Sequence, residues 1–76
     1  MTPSQIYVMD YDPKTERWQV HMNGKCCVMH CGERLEMLIG NYWLTCRIEM
    51  DRDWYIVIHE TKLDLRKKDK YNIQMK

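Results

Sequence analysis

Cys26, Cys27, His30 and Cys31 place three thiols and an imidazole within six residues, and Cys46 adds a fourth thiol further on. Two kinds of chemistry use such groups. Zinc takes four Cys or His ligands in a tetrahedron, and its binding segments usually hold a close Cys-x-x-Cys pair and a second pair at a distance. The spacing here is different. In an extended run, Cys27 and Cys31 point to one side and Cys26 and His30 to the other, so four ligands cannot converge. These cysteines are expected to be small apolar fillers, with no metal and no cofactor. The second chemistry is nucleophilic. A catalytic thiol needs a base within hydrogen-bond reach and a third group to orient that base. His30-Cys31-Gly32-Glu33 contains all three residue types, yet neighbours on a strand face opposite ways. His21 or His59 would have to approach from elsewhere in the fold. The sequence has no phosphate-cradling glycine loop, no Gly-x-Ser-x-Gly and no His-Glu-x-x-His. A non-enzymatic protein is therefore expected, with no catalytic residue assigned.

The residues best suited to binding are aromatic and basic. Trp18, Trp43 and Trp54, with Tyr7, Tyr42 and Tyr55, are more rings than one small interior holds. Tyr42 and Trp43 must face opposite sides of one strand, as must Trp54 and Tyr55, which leaves one of each pair near the surface. Exposed Trp and Tyr anchor protein interfaces and also stack on nucleic-acid bases. Trp18, Trp43 and Tyr55 are the candidate binding rings, and Arg47 shares a strand face with Trp43. Near the C-terminal end, Arg66, Lys67, Lys68 and Lys70 precede Tyr71. That cluster suits phosphate through counterion release or an acidic protein partner.

The elements that would position these groups are short strands. Gln5–Tyr11 is rich in β-branched and aromatic residues, and Asp12-Pro13-Lys14 turns the chain. In Arg17–Met22, Trp18, Val20 and Met22 share one face at period two. Asn23-Gly24 is a hairpin signal, since both residues tolerate the positive φ of a type I′ turn. The chain returns through Cys26–His30, and Gly32 marks a bend. Arg34–Ile39 and Tyr42–Met50 alternate around the Gly40-Asn41 turn. Trp54–His59 follows the polar connection Asp51-Arg52-Asp53. Five or six antiparallel strands of this kind predict a small all-β barrel of SH3 type over residues 1–60. Residues 61–76 are expected to be a basic extension, extended or partly ordered. A sheet edge left open would let two copies pair.

Size and charge agree with one binding domain. The chain has 76 residues, 45% hydrophobic and 30% charged, with formal net charge +1. Residues 1–60 carry six Lys/Arg against nine Asp/Glu, a balance of −3, whereas residues 61–76 carry six against two, a balance of +4. The N-terminal Met-Thr-Pro-Ser-Gln is not an export signal, and no apolar run reaches membrane-spanning length. A cytoplasmic protein with reduced thiols and no membrane contact is the expectation.

His30-Cys31-Gly32-Glu33, Gly40 with Trp43, Thr45 through Glu49, and Trp54-Tyr55 together resemble a small family, a domain of unknown function carried by Gram-positive bacteria and their mobile genetic elements. The resemblance runs from about Tyr7 to Ile58. Arg34 stands where the family has an acidic or polar residue, and the chain after Glu60 departs from its ending. The resemblance implies an SH3-like barrel. It also implies an accessory role in a mobile element, such as an inhibitor of host defence of the CRISPR kind or a regulator of transfer. The function expected is a module that binds a protein partner, with nucleic-acid binding through the basic end and sheet aromatics as the alternative.

Overall fold

The computed structural model describes residues 5–75. The first four residues of the N-terminal segment and Lys76 of the basic end lie outside them. The described chain is all-β, with eight strands: β1 Tyr7–Asp12, β2 Arg17–Met22, β3 Lys25–Val28, β4 Arg34–Ile39, β5 Tyr42–Met50, β6 Trp54–Ile58, β7 Thr61–Asp64 and β8 Tyr71–Gln74. They form one antiparallel sheet in the order β3-β2-β1-β8-β4-β5-β6-β7. This corrects the expectation of five or six strands closing on themselves. The sheet is not closed, and β3 and β7 are its two edges. Both edges are four residues long with every residue exposed, the short form that limits edge-to-edge pairing.

Alternation builds the core. Trp18 and Val20 on β2, Leu35 and Met37 on β4, Cys46 and Ile48 on β5, and Trp54, Ile56 and Ile58 on β6 all turn to one face and are buried. Met9 and Ile73 complete that face from β1 and β8. The sheet curls around this layer until its two halves meet. The Trp54 Nε1–H donates to the Glu16 carbonyl at 3.1 Å, tying β6 to the β1–β2 turn. Lys67, between β7 and β8, lies 3.4 Å from Asp53 and 5.1 Å from the centre of the Tyr11 ring, a second tie across the same gap.

Two local corrections matter for the site. The extended run expected from Cys26 to His30 ends at Val28, and the chain then turns, with Glu33 N donating to the His30 carbonyl. Met29 drops into the core instead. Gly32 does make the bend, at φ 89°, and its N–H rejoins β5 at the Ile48 carbonyl. The larger correction concerns residues 61–76. Rather than extending from a domain that ends at residue 60, they supply β7 and β8, and β8 lies between β1 and β4. Among the described residues, no helix is long and apolar enough to cross a membrane.

Candidate functional site

The outer face of β4–β7 collects three of the candidate residues. Trp43 pairs with Leu38, Arg47 lies between Arg34 on β4 and Val57 on β6, and Tyr55 is opposite Glu49. Each points away from the core because its strand neighbours point inward. The Lys62 ammonium on β7 lies 4.2 Å above the centre of the Tyr55 ring, a cation–π contact. Arg47 Nε donates to Glu49 at 3.2 Å. Between Arg34, Thr45, Arg47, Val57, His59 and Glu60 is an open depression of about 320 Å³. Of the two aromatic pairs, Trp54 is buried and Tyr55 part-exposed, as alternation requires. Trp43 is only part-exposed, and Tyr42 is 73% exposed because it stands at the end of β5, beyond the core.

Trp18 is a correction. It has no exposed surface and is wedged between Tyr11 and Tyr71, with ring centres 5.6 Å away on both sides. A ring in that position fills the core and cannot meet a partner. Its indole N–H has no hydrogen-bond acceptor among the described residues.

The basic cluster stands apart from Trp43. Lys67 is held beside Asp53, in the turn that follows β5, whereas Trp43 is the second residue of that strand. The seven steps from Trp43 to Met50 alone span about 24 Å at roughly 3.4 Å per residue. Several of the cations also have carboxylate neighbours: Lys67 with Asp53, Arg47 with Glu49, and Arg66 at 4.0 Å from Asp69. The Arg66 backbone N–H donates to the Tyr71 hydroxyl, which fixes the loop. Lys68 and Lys70 are exposed.

The thiols do not gather. Cys26, Cys27 and Cys31 are exposed, which corrects the expectation that they are apolar fillers; only Cys46 is buried, and burial pushes its thiol up from 9.0 to about 11. No group of three or more His, Cys, Asp or Glu among the described residues could hold a metal ion. One arrangement went unread in the sequence. Cys26 on β3 is directly opposite His21 on β2, with its sulfur 3.3 Å from His21 Nδ1. On the far side of the ring, His21 Nε2 is 2.9 Å from Asp10 Oδ1 on β1. Gln19 also donates to that oxygen, at 3.2 Å. Burial alone would raise the Asp10 carboxyl. Hydrogen bonds from His21 and Gln19, and the charges of His21 and Lys70, outweigh it and hold the group below its ordinary 3.8. The Cys26–His21 half of this chain was within reach of the sequence. A two-residue Asn23-Gly24 turn sets Met22 against Lys25 and therefore His21 against Cys26. Asp10 required the β1–β2 register, which the longer turn at Asp12–Glu16 leaves open.

A family model described as a domain of unknown function, DUF5348, matches residues 8–75. The match reaches past Glu60, so the expected departure of the chain's end from the family is corrected. The chain is also similar to the crystal structure of a protein from Ruminococcus gnavus. The two share 26% identity at a TM-score of 0.73, over 93% of this chain and 100% of that one. No curated protein matches the chain.

Proposed function

This chain belongs to the DUF5348 family, and we propose that it is a non-catalytic module that binds a protein partner through the outer face of β4–β7. The observation that supports the reading most directly is the common orientation of Trp43, Arg47 and Tyr55 on that face. Trp, Tyr and Arg are the residue types that dominate interface energetics. Around them the charges are mixed in sign: Arg34 and Lys62 alternate with Glu36, Glu49 and Asp64. A mixed face suits the varied charges of a protein better than the uniform charge of a phosphate chain. The carboxylates beside Arg47, Lys67 and Arg66 further weaken the nucleic-acid alternative, which would rest on Lys68 and Lys70. We read the curled sheet as a relative of the SH3-type barrel, on its short antiparallel strands and the contact between Trp54 and the β1–β2 turn. The accessory role in a mobile element, directed at host defence or at transfer, rests on the sequence resemblance.

The test is affinity capture from host extract with the wild-type chain and with a Trp43→Ala/Arg47→Ala/Tyr55→Ala variant that retains the wild-type circular dichroism spectrum. A specific protein held by the wild type and lost by the variant is expected. Equal recovery by both removes this face from the function. Fluorescence anisotropy with single- and double-stranded DNA and RNA at two salt concentrations tests the alternative. Phosphate binding requires affinity that falls steeply as salt rises.

A further inference from the structure

The chain Asp10–His21–Cys26 is not used by the binding reading, and its geometry is that of a primed nucleophile. We infer that Cys26 is a reactive thiol and that its substrate class is a disulfide, with which it forms a mixed disulfide. The reasoning starts at Asp10. Its carboxylate has only lone pairs to offer, so the His21 nitrogen 2.9 Å away must carry a proton. That fixes the tautomer of the neutral ring: Nε2 holds the hydrogen and Nδ1 holds the lone pair. Nδ1 is the nitrogen that faces Cys26, at 3.3 Å. The Cys26 S–H therefore donates to a base that a third residue orients, which is the arrangement an activated nucleophile requires. Cys26 and Asp10 contact opposite nitrogens of one ring, so the three groups cannot close on a single metal ion.

Two further observations separate Cys26 from the other thiols. It is exposed, on the edge strand β3, so a reagent can reach the sulfur. Cys27 and Cys31 are exposed as well, yet neither has a side-chain hydrogen-bond partner among the described residues, while Cys46 is buried. The protein thus contains its own controls. The open sheet face fits a stoichiometric adduct rather than repeated turnover.

The step balances as follows. Cys26 passes its proton to His21 Nδ1, and the resulting thiolate attacks one sulfur of a disulfide RSSR. A bond forms between the Cys26 sulfur and that sulfur, and the original S–S bond breaks. The departing thiolate takes the proton back from His21 and leaves as RSH. Cys26 is oxidised, the departing sulfur is reduced, and no further oxidant is needed.

The experiment treats the full chain with a sub-stoichiometric amount of the aromatic disulfide 5,5′-dithiobis(2-nitrobenzoic acid), then maps the labelled cysteines by peptide mass spectrometry. In the wild type, Cys26 is expected to react roughly tenfold faster than Cys27 or Cys31. That is below the usual 10²–10⁴-fold gain from a positioned base, because the site is open to water. His21→Asn is expected to bring Cys26 down to the rate of Cys27 and Cys31. Asp10→Asn, which releases the tautomer, is expected to give an intermediate rate. Unchanged labelling of Cys27 and Cys31, with Cys46 still protected, shows that each variant remains folded. Equal rates at the three exposed thiols of the wild type, or a Cys26 rate unaffected by His21→Asn in folded protein, would overturn the inference.

Discussion

Cys46 is on the inner face of β5 at 3% exposure, and its raised thiol makes stability depend on pH in a defined direction. The unfolded chain releases this proton near the ordinary 9.0, the folded chain only near 11. Below 9.0 both states hold the proton and pH has no effect through this group. Between the two values the unfolded state gives up its proton first, so stability falls; above about 11 the loss is complete. Denaturation midpoints at about pH 8 and about pH 10.5 are expected to converge more for Cys46→Ala than for the wild type, even though the variant is less stable at the lower pH. Trp18 carries a different residue-scale prediction. Trp18→Ala opens a cavity between Tyr11 and Tyr71 and is expected to cost about 3–5 kcal/mol. Trp18→Phe keeps a ring in place and removes a buried N–H that has no acceptor among the described residues, so less than about 2 kcal/mol is expected. Urea titrations in which both variants lose the same amount would contradict this. Trp18 was legible as a sheet-facing aromatic but not as a core one. Period two assigns a side chain to a face, and only the neighbouring strands decide which face is covered.

At the scale of elements, the turns divide into those with a sequence signal and those without. Asn23-Gly24 makes the two-residue connection expected of it, with φ of 47° and 81°. The β6–β7 connection is also two residues, His59 and Glu60, at φ 47° and 70°. Glu does not favour that region and His enters it only as a minority conformation, so the hairpin has no clear signal in the sequence and the last strands read there as a tail. The left-handed region costs an L-residue roughly 1–2 kcal/mol, which a glycine escapes. Glu60→Gly is therefore expected to stabilise the protein by about 0.5–1 kcal/mol after the entropy that glycine adds to the unfolded chain. Gly24→Ala is the opposite case. Nothing lies within 4 Å of the added methyl, so the backbone alone sets its cost, about 1 kcal/mol. Thermal unfolding of the two variants should move the melting temperature in opposite directions.

The whole molecule depends on its last strand. β8 pairs with β1 on one side and β4 on the other, and those are the only ladders that join β3-β2-β1 to β4-β5-β6-β7 among the described residues. A chain ended at residue 60 would keep three strands on each side and lose the strand between them. Such a truncation is expected to show no cooperative unfolding transition. Ile73→Ala in the full chain is expected to cost about 2–5 kcal/mol. A cooperative melt from the truncated chain would show that the two halves can pair without β8. The same strand explains the basic loop. Lys67 and Arg66 lie where they do because β7 and β8 must be linked across the open side of the sheet.

The sequence alone determined the strands from Tyr7 to Ile58, which residues of β2, β4, β5 and β6 share a face, and the Asn23-Gly24 hairpin. Those properties follow from side-chain alternation and local backbone preference, which act between residues close in the chain. Tertiary structure alone decided that β8 lies between β1 and β4, that Trp18 is covered, that the cations of residues 66–70 stand apart from Trp43, and that Asp10 meets His21. Each of these depends on register or strand order between segments separated by loops. Many orders share one pattern of alternation, and only packing of the whole apolar face selects among them.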